Sequence, residues 1–232
     1  MPYPSLILVP GLACTADLWR DQAATLADFA DIQVTDEQLR HGTIAAMATA
    51  ILASAPDQFA LAGLSMGGYI VLEIMRQAPE RVTGLALLDT SARADTSEQT
   101  ARRRALIELA KASSMTAVMR ELLPFMLHPN RLGDHDLVRR VVAMGEESGV
   151  DTFIRQQHAI IGRSDSRGRL GEIACPTIVG CGDADLITLP EWSKEMAAMI
   201  PNAQLTIIPA CGHMSSMEWP SSVIDILRNT IR

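Results

Sequence analysis

LAGLSMGGYIVLEIM, residues 61–75, places Ser65 between Gly63 and Gly67, with one apolar run before the cluster and another after it. Glycine weakens the interior of both helices and strands, so the cluster predicts a junction between two elements. If a strand ends near Gly63 and a helix begins after Ser65, the serine lies at the apex of a sharp turn. Only residues without bulk can flank such a turn, which accounts for both glycines.

The rest of the chain alternates short apolar runs with helical patterns. Near-continuous apolar runs are typical of strands that are covered on both faces, as in a parallel sheet. Six such runs are SLILV (5–9), DIQVT (31–35), FALAG (59–63), VTGLALL (82–88), TIVGC (177–181) and LTIIP (205–209). Segments between them carry apolar residues at helical spacing, and Pro190 is placed to open one helix. This alternation predicts a doubly wound α/β domain.

One interval, residues 94–169, carries helical signals without a convincing strand. Thr96 and Gln99 have the spacing of a capping box, and Asp134 is placed to cap a later helix. The segment TFIRQQHAII (152–161) predicts a further helix. We expect residues 94–169 to form a helical cap inserted over the carboxyl edge of the sheet. Residues 1–93 and 170–232 then form the core domain.

The composition argues against nucleic-acid, membrane and metal partners. The 232 residues carry a formal net charge of −7, and no apolar run is long enough to cross a bilayer. The N-terminal residues lack the basic leader of a signal peptide, and the four cysteines lack the spacing of a metal site. We therefore expect a cytoplasmic protein with free thiols, no metal and no cofactor, whose oligomeric state the sequence leaves open.

Two residues at strand ends have complementary chemistry. The carboxyl ends of parallel strands meet at one edge of a sheet, so residues that follow different strands can share a site. Ser65 follows the third predicted strand, and His213, in CGHMS, follows the sixth. A serine hydroxyl needs an adjacent base to become a nucleophile, and histidine, whose pKa lies near neutral pH, is the usual base. We expect His213 to activate Ser65.

A carboxylate must orient such a histidine, and three aspartates are candidates. Asp183 and Asp185 follow the fifth predicted strand, and Asp89 follows the fourth. All three satisfy the chain order serine, acid, histidine, so the order alone does not choose among them.

These motifs, in this order, resemble the α/β-hydrolase fold family over most of the chain. The resemblance implies a three-layer fold in which GDADLITLP (182–190) matches the family's G-x-x-D-x-x-T-x-P stretch, with Asp185 as the acid. GHMSSMEWP (212–220) is similar to the family's usual ending, in which we expect Glu218 and Pro220 to position the last helix. The family normally has two further strands at the start. Because only nine residues precede Pro10, we expect a trimmed, mainly parallel sheet of six strands.

The resemblance also implies an activity. The backbone N–H groups of Leu12, in VPGLAC, and of Met66 would form an oxyanion hole. The sharp turn that carries Ser65 corresponds to the family's nucleophile elbow. With a serine at this elbow, the implied reaction is cleavage of a small carboxylic ester, lactone or thioester through an acyl-enzyme. The pattern, including LLDTSARAD (87–95), is similar to small bacterial enzymes of the carboxylesterase and 3-oxoadipate enol-lactonase type.

Substrate choice is expected to depend on the pocket under the helical insertion. Arg155 and His158 are candidates for contact with a polar or anionic substrate, although His158 shares a helix face with Ile154 and Ile161, as a structural histidine would. The basic run Arg102–Arg104 is interpreted as a solvated helix face. Two other functions stay open: a lyase or synthase that uses the same triad for proton abstraction, and a receptor for a small ligand.

Overall fold

The fold is built on one six-stranded sheet, in a computed structural model that describes residues 3–231. Its strands are β1 (Ser5–Val9), β2 (Asp31–Val34), β3 (Phe59–Leu64), β4 (Val82–Leu88), β5 (Thr177–Gly182) and β6 (Gln204–Ile208). The spatial order is β2-β1-β3-β4-β5-β6, and every neighbouring pair is parallel. The predicted six-stranded parallel sheet is confirmed, and every strand boundary lies within one residue of its predicted position.

Helices cover both faces of this sheet. They are α1 (Arg20–Leu26), α2 (Ile44–Ser54), α3 (Met66–Gln77), α4 (Ser97–Ala112), α5 (Met115–Met126), α6 (His135–Ser148), α7 (Val150–Ile161), α8 (Pro190–Met199), α9 (Ser215–Glu218) and α10 (Pro220–Thr230). Leu6 and Leu8 of β1 pack into one core with α1 and α10, whereas Ile7 and Val9 pack into a second core with α2, α3 and α8. This alternation produces the three layers. Within residues 3–231, no helix has the length and apolar character needed to cross a bilayer.

The interval between β4 and β5 contains the four helices α4 to α7. Thr96 caps α4 as predicted: its hydroxyl accepts a hydrogen bond from the Gln99 N–H at 3.2 Å, and the Gln99 side chain accepts one from the Thr96 N–H at 2.9 Å. Asp134 caps α6 by accepting from the Leu137 N–H at 3.1 Å. The helical character of the interval is therefore confirmed, whereas its separation from the core as a cap domain stays a prediction.

Candidate active site

The junction between β3 and α3 is a strained turn with Ser65 at its apex. Ser65 has φ 57° and ψ −118°, a backbone conformation that a residue with a side chain rarely adopts. Two hydrogen bonds hold it: the Ser65 N–H donates to Leu88 O at 3.0 Å, and the Thr90 hydroxyl donates to Ser65 O at 2.7 Å. The serine is therefore held in place by the neighbouring strand β4 and by the loop that follows it.

Gly67 makes this turn possible because the backbone of β1 passes directly over it. A Cβ atom at position 67 would overlap the carbonyl of Val9 and lie 3.0 Å from Pro10 O, and neither backbone group can rotate away. We expect Gly67→Ala to lower the free energy of unfolding by about 1–3 kcal/mol, as overpacking does. Urea denaturation measures this change.

Gly133→Ala is the matched control for that substitution. A Cβ atom at position 133 would meet nothing within 4 Å. Its free energy of unfolding should stay within about 0.5 kcal/mol of the wild type, as for most surface changes. Equal stabilities for the two variants would contradict the close approach of β1 to Gly67.

His213 lies in the loop that follows β6, and it faces Ser65. Its Nε2 atom is 2.8 Å from Ser65 Oγ, and its Nδ1 atom is 2.8 Å from Asp185 Oδ2. The His213 N–H donates to Met126 O at the end of α5, at 2.8 Å. The His213 side chain is 4% exposed, so water has little access to it. The structure thus brings Ser65, His213 and Asp185 into one continuous hydrogen-bonded line.

Asp185 is fixed by the turn that it closes. Its Oδ1 atom accepts from the N–H groups of Ile187, at 2.8 Å, and Thr188, at 2.9 Å, and its Oδ2 atom accepts from the Thr188 hydroxyl at 2.7 Å. An ionised carboxylate only accepts hydrogen bonds, so the proton of neutral His213 lies on Nδ1. Nε2 is then free to accept the hydroxyl proton of Ser65.

Burial and charge act in opposite directions on the pKa values of this pair. Burial disfavours the charged form of His213, but the charge and hydrogen bond of Asp185, with the charges of Asp89 and Glu218, raise its pKa above the ordinary 6.5. Burial also disfavours the charged form of Asp185, but His213 and the hydrogen bonds of Thr188 lower the pKa of that carboxyl. Each group therefore stabilises the charged form of the other.

The other two candidate acids have different partners. Asp183 is exposed and accepts a hydrogen bond from the Cys211 N–H at 3.2 Å, which closes a turn. Asp89 is fully buried, and its carboxyl accepts from the Gly182 N–H, at 2.9 Å, and from the Ser215 hydroxyl. Of the three aspartates, only Asp185 is hydrogen-bonded to His213 among the residues described here. Within residues 3–231, no three His, Cys, Asp or Glu side chains are grouped to hold a metal ion.

Two backbone N–H groups near the serine lack an acceptor. Among residues 3–231, neither the Leu12 N–H nor the Met66 N–H donates to another protein atom. Leu12 follows β1 and lines the same cavity as Ser65, and Met66 is the first residue of α3. Unpaired N–H groups of this kind can bind an oxygen atom that carries negative charge.

Gln156, which the sequence analysis missed, holds the loop after β1 that contains Leu12. The Ala13 N–H donates to Gln156 Oε1 at 2.9 Å, and Gln156 Nε2 donates to Gln38 O at 3.0 Å. Gln156 is fully buried. No local motif could reveal this contact, because Ala13 and Gln156 are 143 positions apart.

Comparison with known proteins places this geometry in a family. The Alpha/beta hydrolase family model matches residues 6–221, which is most of the chain. The chain belongs to that family. In an alignment of 252 positions, its sequence is 23% identical to the proposed carbamate hydrolase RutD of Escherichia coli. The match covers 98% of this chain and 92% of that protein.

Solved structures of other hydrolases superimpose closely on this family member. A thermophilic esterase from Thermogutta terrifontis, with malate bound, is 27% identical with a TM-score of 0.88, covering 98% of this chain and 89% of that one. The enol-lactonase of Burkholderia xenovorans LB400 is 20% identical with a TM-score of 0.91, covering 100% of this chain and 92% of that one. At that lower identity, the second similarity shows a shared fold.

The cavity of this hydrolase lies between the carboxyl edge of the sheet and the helices α4, α5 and α7. It has a volume of about 290 Å³ and is bounded by Ser65 and His213 on one side. Apolar side chains from the helices, such as Leu106 and Leu122, form much of the rest. A pocket of this size holds a small molecule, and Ser65 lies in its wall.

Arg155 and His158, the two predicted substrate contacts, lie outside this cavity. The Arg155 guanidinium donates to Leu39 O and, at 3.1 Å, to the Thr152 hydroxyl, so it fastens α7 to the loop before α2. His158 is exposed and lines a second cavity of about 170 Å³, which contains neither Ser65 nor His213. The residues of α7 that line the cavity at Ser65 are Gln157 and Ile160. Neither predicted contact therefore lines the cavity at Ser65, and a role of Arg155 or His158 in substrate binding stays a prediction.

Glu218 binds the loop after β6 that carries His213. Its buried carboxylate accepts from the N–H groups of Gly212, at 2.9 Å, His128, at 2.8 Å, and Met214, at 3.3 Å. The family resemblance predicts that it positions the last helix. Its contacts instead join both neighbours of His213 to the chain that leaves α5.

Proposed function

We propose that this chain is a serine hydrolase that cleaves a small carboxylic ester, lactone or thioester through an acyl-enzyme on Ser65. The observation that carries the proposal is the hydrogen-bonded line from Ser65 Oγ through His213 to Asp185, with 2.8 Å at each contact of the histidine. Ser65 supplies the nucleophile, His213 the base and Asp185 the orienting acid that acyl transfer requires. The family membership supports hydrolase activity in general.

The first half of the reaction forms the acyl-enzyme. Ser65 Oγ attacks the carbonyl carbon while its proton moves to His213 Nε2. Negative charge develops on the carbonyl oxygen, and the free N–H groups of Leu12 and Met66 stabilise it. The protonated His213 then gives its proton to the leaving alcohol or thiol.

The second half releases the acid. His213 takes a proton from a water molecule, which attacks the acyl group on Ser65, and the returning proton restores the serine hydroxyl. Asp185 accepts the Nδ1–H hydrogen bond throughout and stabilises the imidazolium in both halves.

The division into domains forms part of the proposal. We assign residues 1–93 and 170–232 to the catalytic core and residues 94–169 to a cap that determines substrate choice. Side chains from α4, α5 and α7 form much of the cavity beside Ser65, which supports this assignment. Esterase, enol-lactonase and carbamate hydrolase are the activities named for the similar proteins, and the first two of these names support an ester or lactone substrate.

Activity should depend on pH through His213. The base must be neutral to accept the serine proton, so kcat/KM is expected to fall as the pH drops through the pKa of His213. Asp185, Asp89 and Glu218 raise that pKa against the effect of burial, so the midpoint of the acidic limb should lie above 6.5. Initial rates between pH 5 and 9 measure it, and a midpoint well below 6.5 would contradict the net stabilisation of the charged imidazolium by these carboxylates.

Hydrolysis of p-nitrophenyl esters from acetate to decanoate tests the function, with the Ser65→Ala protein as the control. We expect saturable turnover in the wild type and none above background in the control. The chain length with the highest kcat/KM then reports the size of the acyl pocket. Equal rates in the two folded proteins would reject the serine hydrolase and favour a lyase, a synthase or a small-ligand receptor.

A further inference from the structure

One part of the cavity wall is polar and carries two side chains that the proposed reaction does not use. Arg103 of α4 and Gln157 of α7 both line the cavity. Gln157 is completely buried, and the Arg103 side chain is 17% exposed. The other charged lining residues of the helices, Arg102 and Glu121, are exposed, so solvent screens their charges far more than that of Arg103.

Arg103 belongs to a buried ion cluster with an excess of positive charge. Its Nε atom is 2.7 Å from Asp95 Oδ2, and the guanidinium of Arg163 binds the other oxygen of the same carboxylate. The side chains of Asp95 and Arg163 are 2% and 5% exposed. Two cations thus share one anion in a region of low dielectric constant, which favours a further negative charge next to Arg103.

Two N–H donors at this place have no acceptor. Arg103 Nη1 donates to Gln157 Oε1 at 3.0 Å, so the guanidinium and the amide lie side by side. Within residues 3–231, the buried Nε2 of Gln157 has no hydrogen-bond partner, and Arg103 Nη2 donates to no protein atom. An unpaired buried donor is unfavourable, and a bound ligand with acceptor oxygens would relieve it.

We infer that Arg103 and Gln157 form a subsite for a carboxylate that the substrate carries apart from the bond that is cleaved. The inference rests on the proposed serine hydrolase function and specifies its substrate class as the half-esters of small dicarboxylic acids. A carboxylate is planar and has two acceptor oxygens, which matches adjacent guanidinium and amide donors. Asp95 positions Arg103, and the Arg103–Gln157 contact orients the amide.

Matched substrates test the subsite. Monoethyl succinate, glutarate and adipate each carry a carboxylate, and ethyl 4-methylpentanoate, 5-methylhexanoate and 6-methylheptanoate replace it with a neutral isopropyl group of similar size. For the best chain length, we expect the wild-type kcat/KM to exceed that of the neutral ester by about tenfold or more, as for hydrogen bonds to a charged group. Gln157→Glu places a carboxylate beside Arg103, and Arg103→Met removes the cation, so either variant should abolish the preference.

The ratio of the two kcat/KM values within each protein is the readout, because it cancels general losses of activity. Arg104→Met is the matched control. Arg104 is exposed on the same helix and does not line the cavity, so this variant should keep the wild-type ratio. A wild-type ratio near one, or a ratio that Gln157→Glu leaves unchanged, would overturn the subsite without affecting the serine hydrolase proposal.

A protein that hydrolyses neither these ethyl esters nor the p-nitrophenyl esters would refute the proposed function, and binding then tests the subsite by itself. Calorimetry of monoethyl glutarate with the wild type and with Gln157→Glu compares the two affinities. A Kd at least tenfold weaker in the variant supports the subsite. The absence of binding, or equal binding by both proteins, overturns it.

Discussion

Replacing His213 with alanine is expected to lower kcat for ester hydrolysis on the order of 10⁶-fold, as loss of the base does in serine hydrolases. The wild-type Nε2 atom lies 2.8 Å from Ser65 Oγ, and within residues 3–231 no other side chain is hydrogen-bonded to that hydroxyl. Without the imidazole, the proton of the attacking hydroxyl has no acceptor. Stopped assays with p-nitrophenyl butyrate over several hours can measure the residual rate.

His135→Ala provides the control for that experiment. His135 is exposed at the start of α6, so its removal should leave the kinetics of the wild type. A loss of only about tenfold in the folded His213→Ala protein would mean that another group activates Ser65.

The Asp185→Asn substitution is expected to reduce kcat by about 10⁴-fold, as loss of the orienting carboxylate does in such triads. The asparagine amide keeps the size of the carboxyl group. It can present an N–H to His213 Nδ1, which favours the tautomer that carries its proton on Nε2. That tautomer cannot accept the Ser65 proton. Steady-state kinetics with the same ester measure the loss.

Asp89→Asn is the matched comparison, because Asp89 is the other buried candidate for the acid. Burial, with the nearby charge of Asp185, raises the pKa of Asp89 to about 8. An asparagine amide has the size of this carboxyl group, so its oxygen can accept from the Gly182 N–H and its NH₂ group can contact the Ser215 hydroxyl. We expect this variant to remain far more active than Asp185→Asn. The reverse order would assign the acid to Asp89.

The sequence predicted the central strands of the sheet well because they are covered on both faces. Strands such as β3 and β5 are buried along their whole length, so their apolar runs mark them almost residue by residue. The elbow was equally visible, because the close approach of β1 restricts position 67 to glycine. Local constraints of this kind leave a local signal.

The choice of acid needed the structure. Asp183 and Asp185 follow the same strand, and both were possible from their position in the chain. The turn closed by Thr188 directs Asp185 inwards to His213, whereas Asp183 stays exposed and bonds the Cys211 backbone. The family resemblance favoured Asp185, and the geometry agrees with it, while its catalytic role stays a prediction.

The residues on α7 were the least predictable. Apolar periodicity identified the helix. The candidates for substrate contact on it were Arg155 and His158, which lie outside the cavity at Ser65. The buried polar residues are Gln156, which holds the Leu12 loop, and Gln157, which lines the cavity. A buried glutamine depends on partners that are distant in the chain, so no local pattern distinguishes it from a surface glutamine.

The central claim is that the reaction passes through an acyl group on Ser65, and mass spectrometry of the quenched enzyme tests it most directly. Wild-type protein would be mixed with excess p-nitrophenyl butyrate, stopped in acid during turnover, digested and analysed. We expect one butyryl group on the peptide that contains Ser65 and none in the Ser65→Ala protein. Cys14 also lines the cavity, but burial raises the pKa of its thiol to about 12, so it should stay unmodified. Sustained hydrolysis without an acyl group on Ser65, or with the group on Cys14, would contradict the account.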